Sequence, residues 1–328
     1  MRTAQELIAL IENDKITELT TSDFKIKFTP QELKEFVHFC IVSNSLESVE
    51  IKDIDFNPVI ECLLGQVLPM NNSIKKLELN NLRSFDKAGG SLKELLQFNT
   101  GIEELVISNN SNIDGVLAYI FPDLKDNSQI KKFNLTSNSL NNETIGLIAN
   151  LLETNESLNE IDLSHQPLTG NSLASLFEAI GKNQNITAIK LSNTHLTTNS
   201  FDLLSSKLLD NKSLLNLDLS FNSFKDSLPL SFFQFLKGEN NLSKLNLQNC
   251  DLNRYFASNL ARTFSEKSKF SSINLSQNNL CDLGITIISR YAKNIKSLLN
   301  LDLRNNNATL LASYMVKETL GGLLDYQI

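Results

Sequence analysis

The chain has 328 residues, 41% of them hydrophobic, with no tryptophan, a formal net charge of −7 and a pI near 5.2. Neutralising phosphates requires a basic stripe, and Lys and Arg are outnumbered here by Asp and Glu, which argues against a general nucleic-acid binder or a binder of anionic membranes. The short apolar run after Met1 is interrupted by acids, so it is read as neither a cleavable signal peptide nor a membrane span, and no membrane insertion is expected.

Residues 1–45 read as an N-terminal cap that opens on an amphipathic helix. Phe24-Lys-Ile-Lys-Phe28 alternates with period two and is expected to be a half-buried strand covering the edge of the first repeat. Thr29-Pro30 then starts a helix, with proline in its first turn and Leu33, Phe36 and Cys40 facing inward. Such a cap is physically required, because the first unit of a stacked array would otherwise expose an apolar face and a sheet edge.

Residues 46–307 are a repeat with a 28-residue period. Its opening apolar residue stands at Leu46, Ile74, Ile102, Ile130, Leu158, Ile186, Leu214, Leu242, Phe270 and Leu298, without an insertion. A period of this length marks a solenoid. In the first half of each unit three apolar positions, such as Ile130, Phe133 and Leu135, make a short strand. In the second half a stripe at helical spacing follows, whose middle member is Leu64, Leu92, Ile120, Ile148, Leu176, Leu204, Phe232, Leu260, Ile288 or Val316. Asn142, Thr198, Asp226 and Asp282 are expected to cap helices, with Gly170 permissive at the equivalent place. The turn residue eight places after the opening is usually polar, as in Asn110, Asn138, Asn222, Asn278 and Asn306. A buried amide there bridges backbone groups of adjacent turns. Ile54 and Leu82 lack that chemistry, so the first two turns are expected to differ in shape. Residues 308–328 supply the last helix, ended by Gly321-Gly322, and a C-terminal cap, and the whole is read as one continuous domain.

Strands about 4.8 Å apart and helices about 8 to 10 Å apart cannot stack without curvature. The expected fold is therefore an α/β solenoid shaped as an open horseshoe, with a parallel β-sheet on the concave face and α-helices on the convex face. Outward strand residues are expected two, four and six places after each opening. The first row, Ser48, Lys76, Glu104, Lys132, Glu160 and Ala188, alternates in charge and is read as a self-paired ladder. The richest outward cluster is Asp162, Lys190 and Asp218 with His165 and Phe221 beside them, which points to a protein-binding patch on the concave face. Ser164, Ser192, His165 and Asp162 include the residue types of a hydrolytic triad, but a flat sheet offers no strained nucleophile turn and no oxyanion donors, so no enzyme is expected. Phe121, Phe177 and Phe233 are read as inter-helix packing. Cys40, Cys62, Cys250 and Cys281 show no metal-ligand spacing and are read as reduced core thiols; no metal or other cofactor is expected.

Leu214-Leu-Asn-Leu-Asp-Leu-Ser-Phe-Asn222 writes L-x-x-L-x-L-x-x-N, and with Leu158 to Ile180 it resembles the ribonuclease-inhibitor-like leucine-rich repeat over about residues 46–320. That resemblance implies a non-enzymatic scaffold that binds another protein, monomeric when free. The Asn-, Ser- and Lys-rich, Trp-free composition further resembles the leucine-rich-repeat effectors of Legionella-type intracellular bacteria. It implies a host protein or another bacterial effector as partner, and a cytoplasmic location or delivery into host cytoplasm without a cleaved signal. GTPase-activating proteins for Ran share the repeat type and are the alternative, but they carry an acidic C-terminal tail, which Leu323 to Ile328 is not.

Overall fold

In the computed structural model, residues 2–224, 229–320 and 325–327 are described; Asp226, Gly321-Gly322, Leu323, Leu324 and Ile328 lie outside the described residues. The chain divides into two compact units, Met1–Ile161 and Asp162–Ile328.

The first unit begins with the cap: α1 (Ala4–Glu12), β1 (Glu18–Leu19) and α2 (Pro30–Val42). Thr3 and Thr29 each start their helix with a reciprocal capping box, with Glu6 and Glu32 as partners. Phe24 to Phe28 is not the covering strand. Asp23–Lys25 is a 3-10 turn with Phe24 buried in it, and Glu18–Leu19 pairs with the next strand instead. The carboxylate of Asp23 accepts the Thr20 amide and meets Arg2 at 3.3 Å, which tightens the chain into a turn where alternation alone suggested extension.

Strand and helix then alternate: β2 (Ser48–Lys52), α3 (Pro58–Cys62) running into a π-turn at Leu63–Val67, β3 (Lys76–Asn80), α4 (Gly89–Phe98), β4 (Glu104–Ser108), α5 (Asp114–Asp126), β5 (Lys132–Asn134) and α6 (Asn142–Thr154). β6 (Glu160–Asp162) stands at the division. The second unit continues with α7 (Ser172–Lys182), β7 (Ala188–Lys190), α8 (Thr198–Lys207), β8 (Asn216–Asp218), α9 (Leu230–Lys237), β9 (Lys244–Asn246), α10 (Arg254–Ala261), β10 (Ser272–Asn274), α11 (Cys281–Ala292), β11 (Asn300–Asp302), α12 (Leu310–Leu320) and β12 (Asp325–Gln327). Within each unit neighbouring repeat strands are parallel and pair equivalent residues, as in Glu104 with Lys132 and Asn216 with Lys244. The ten residues of the helix stripe, Leu64 through Val316, are all fully buried; Phe121, Phe177 and Phe233 are buried too, and Phe233 meets Phe256 of the next helix at 5.3 Å between ring centroids.

Each turn leaves its strand through the same backbone step. The seventh residue after the opening has a left-handed φ in all ten repeats, from Asp53 (φ 55) to Asn305 (φ 56), so the first two turns begin like the rest. They diverge afterwards, where Asp55 and Arg83 form an isolated bridge and Arg83 donates its amide to the Ile54 carbonyl. Elsewhere the eighth residue is a buried amide ladder. Asn222 Nδ2 donates to the carbonyls of Leu191 and Leu219, while its Oδ1 accepts the amides of Thr194 and Leu196. In the first unit Asn110 serves Leu82 in the same way, so a turn with an apolar residue is satisfied by its neighbour. Cys250 takes the position with its thiol toward the Leu219 carbonyl, and burial pushes that thiol up to about 12. Cys40 is also buried, whereas Cys62 and Cys281 are half-buried and not core thiols.

A second ladder was not anticipated. Asn71, Asn99, Asn127 and Asn155 in the first unit, and Asn183 and Asn211 in the second, recur at the period just before each next opening residue. Asn155 Nδ2 donates to the carbonyls of Leu124 and Asn127 one repeat back, and its Oδ1 accepts the amides of Ser157 and Leu158. The helix caps also differ from expectation by one residue. Asn141 and Thr197 cap α6 and α8, because the residue with extended φ/ψ precedes the first helical one. Asp282 instead accepts the amide and hydroxyl of Thr309, and Asp114 accepts the Asn141 amide, so these acids tie one helix start to the next.

Replacing Asn222 with Leu leaves the buried amides of Thr194 and Leu196 without their acceptor and takes one donor from the carbonyls of Leu191 and Leu219, which keep the Thr194 hydroxyl and the Cys250 thiol. It is expected to lower unfolding free energy by about 1 to 3 kcal/mol, measurable by urea titration. An unchanged midpoint would show that the ladder contributes nothing net.

Candidate functional site

The outward-facing cluster sits on the strands and turns of the second unit. Side chains four places after the opening make one row: Asp162, Lys190, Asp218 and, continuing it, Asn246. Asp162 Oδ1 accepts the Ser164 amide, and its Oδ2 lies 3.8 Å from the Lys190 ammonium, which is 44% exposed. Asp218 is held more fully: Oδ1 accepts from the amide and hydroxyl of Ser220, and Oδ2 from Asn246 Nδ2. The carboxylates are thus oriented by their own turns, and the Lys190 amine reaches toward solvent between them. Two strand spacings, about 10 Å, separate the ends of the triplet.

The second row is formed by the left-handed residues His165, Asn193 and Phe221. Asn193 Nδ2 lies 3.3 Å from His165 Nδ1, and Phe221 follows one repeat on with 42% of its surface exposed. His165 and Phe221 donate their amides to the carbonyls of Ser192 and Gln248, so the backbone holds both at fixed positions while their side chains stand out. The five predicted residues therefore share one face, arranged as an acidic–basic–acidic row beside an imidazole and an exposed ring. Asn193 and Asn246 belong to the same face and were missed, although both were readable as single steps of the period.

The outward assignment of the sixth position holds at Lys52 and Arg304, which are exposed, and is corrected at the serines. Ser164, Ser192 and Ser220 are buried: the Ser192 amide donates to Ser164 Oγ, and the hydroxyls of Ser192 and Ser220 are hydrogen-bonded at 2.9 Å. These short side chains close over the step between strand and left-handed turn, where a longer one reaches solvent. His165 is hydrogen-bonded to Asn193 and not to either serine, so the residue types of a triad are not assembled as one. In the first unit the expected charge ladder is present, with Lys76 and Lys132 flanking Glu104 at 3.7 and 3.6 Å. Among the described residues no group of His, Cys, Asp and Glu is placed to hold a metal ion, and no helix is long and apolar enough to cross a membrane.

No family model matches the chain. It is 32% identical over 106 residues to the human NACHT, LRR and PYD domains-containing protein 13, an alignment that covers 32% of this chain and 10% of that protein. Among solved structures it is similar to one in the crystal structure of the Rad7 and Elc1 complex in yeast, with a TM-score of 0.55 and 17% identity over 99% of this chain and 81% of that one. The strand–turn–helix repeats with these likenesses make the fold a leucine-rich-repeat solenoid.

Phe221 occupies a backbone position that five other repeats fill with asparagine, at Asn81, Asn109, Asn193, Asn249 and Asn305. A left-handed φ costs a bulky residue about 1 to 2 kcal/mol, and asparagine relieves part of it. Phe221→Asn is therefore expected to raise stability by up to about 1 kcal/mol, read as a higher melting temperature. A lower one would mean that the ring packs favourably on the fold itself.

Proposed function

We propose that this chain is a non-enzymatic protein-binding scaffold whose partner docks on the face formed by Asp162, Lys190, Asp218, His165 and Phe221. The observation that carries this reading is Phe221: a large aromatic, 42% exposed, held in a left-handed conformation that suits asparagine better. Strained, exposed residues that the fold does not require are found where a surface does something else. Aromatic side chains near the centre of an interface supply much of its binding energy, and the charged row beside the ring supplies complementarity and register. The yeast neighbour was solved as a complex with a second protein, which supports the same general role. The Asn-, Ser- and Lys-rich, Trp-free composition resembles that of the leucine-rich-repeat effectors of Legionella-type bacteria, and that resemblance implies a host protein or another bacterial effector as partner, with delivery that needs no cleaved signal.

Capture from host and bacterial lysate followed by titration tests this. Phe221→Ala is expected to weaken binding by about 2 kcal/mol or more, and Lys190→Glu to weaken it and change its salt dependence, since the row becomes three like charges. Neither side chain is in the core, so both variants are expected to melt as folded proteins. Wild-type affinity in both would move the site off this face.

A further inference from the structure

The second asparagine ladder ends at Asn211. In the next repeat its place is taken by Glu239, and Asn240 bonds only within its own turn, to the carbonyls of Phe235 and Gly238 and the amide of Leu242. One repeat later the place is Lys267. The asparagine clamp that closes each helix-to-strand loop on the preceding one is therefore replaced there, with Asn241 Nδ2 donating to the Lys212 carbonyl and the Lys269 ammonium donating to Asn241 Oδ1. There the loops leave a cleft of about 500 Å³, floored by Leu236 and Phe270.

Four lysines line it, Lys212, Lys237, Lys267 and Lys269, against one carboxylate, Glu239. That local excess of positive charge stands in a chain whose net charge is −7. The single ion pair is weak, because Lys212 and Glu239 are 3.9 Å apart with side chains 63% and 96% exposed. Lys269 donates to the neutral Asn241 Oδ1, and Lys237 and Lys267 have no ion pair among the described residues. Ser265 and Ser268 hydroxyls lie on the same wall, in a closed turn where Ser268 Oγ accepts the Ser265 amide. Like charges gathered on two adjoining loops repel one another, and an anion that bridges them relieves that repulsion.

We propose that this cleft binds a small, multiply phosphorylated ligand. Its volume falls within the range of about 300 to 1,000 Å³ typical of small-molecule sites. Ammonium groups act as point charges that donate to phosphate oxygens from many directions, whereas the planar fork of arginine, absent from this wall, is what selects a carboxylate or phosphate by geometry. Three net positive charges match a ligand with at least two phosphate groups, and the serine hydroxyls add donors between them. The site is built from loops on the helix-to-strand side of the repeats and is independent of the protein-docking face.

Calorimetric titration of the full chain with inorganic tripolyphosphate tests it, together with flotation on phosphatidylcholine vesicles containing phosphatidylinositol bisphosphate. Wild type is expected to bind tripolyphosphate one to one, with affinity falling as salt rises. The double variant Lys237→Gln, Lys267→Gln is expected to lose at least about tenfold, as two charge-assisted contacts disappear. A control removing two exposed lysines elsewhere, Lys125→Gln with Lys317→Gln, is expected to change affinity by no more than about twofold, the scale of screened long-range charge. Phe221→Ala is expected to bind tripolyphosphate as wild type does, which separates this site from the docking face. Vesicle binding lost in the same cleft variant would support the site with a lipid headgroup as the source, and tripolyphosphate binding without vesicle binding would support it with a free ligand. Failure to bind either probe, or equal loss in the cleft and control variants, would overturn the proposal.

Discussion

The buried amide that joins one turn to the next is the interaction on which this chain depends. A short parallel strand followed by a sharp turn leaves backbone donors and acceptors pointing into an apolar interior, where an unsatisfied group costs more than a typical hydrogen bond gains. Asparagine can accept from two amides and donate to two carbonyls at once, and Asn222 does all four. Because three of those four partners lie one repeat away, a turn is complete only when its neighbour is present. Stability is therefore shared along each stack, and no single repeat is expected to fold alone. Leu82 illustrates this: it has no amide of its own, yet its backbone is satisfied by Asn110.

The same dependence fixes the left-handed residue before each amide. The chain must reverse away from the strand in one step, and in every repeat this falls on the seventh residue. Where only structure matters, that residue is expected to be the one that tolerates the conformation, and asparagine fills half of the positions. His165 and Phe221 keep the backbone and change the side chain. Their conformation is over-determined by the surrounding hydrogen bonds, which hold the exposed ring and imidazole in place without requiring either to contribute packing. A group held in this way has little freedom left to lose in any contact that it makes.

The repeat itself was legible because it is written in apolar residues at an unbroken period, so one misread unit would have been corrected by nine others. The two outward rows were legible for the same reason: equivalent residues of neighbouring strands must lie side by side. The cap was less so. Phe24 to Phe28 alternates like a strand, but Asp23 and its partners Thr20 and Arg2 curl the chain into a turn, and a long-range pair of that kind has no local signature. The buried serines were misassigned because a side chain as short as serine at the sixth position bonds to its neighbours on the adjoining strands, whereas Lys52 and Arg304 at the same place reach solvent. The second asparagine ladder was present in the sequence at the same 28-residue step from Asn71 to Asn211, but it lies in a segment that composition alone reads as an ordinary polar loop.

The two ladders stand at opposite ends of the strands and do not extend equally. The amide ladder at the strand exit continues to Asn306, with Cys250 as a weaker member, whereas the one at the strand entry stops at Asn211. Beyond that point the strands are still pinned at their exits, and the helix stripe is still buried through Val316, so the repeats keep their register. What changes is the loop before each strand, where Asn241 and Lys269 make the contacts to the neighbouring loop in place of the asparagine clamp. That loop carries lysines whose mutual repulsion the fold tolerates because the core and the exit ladder hold the repeats in register. Both unusual surfaces of the second unit thus arise in one way. A position that the repeat usually gives to asparagine, before the exit amide or at the strand entry, is filled by a residue that the fold does not need.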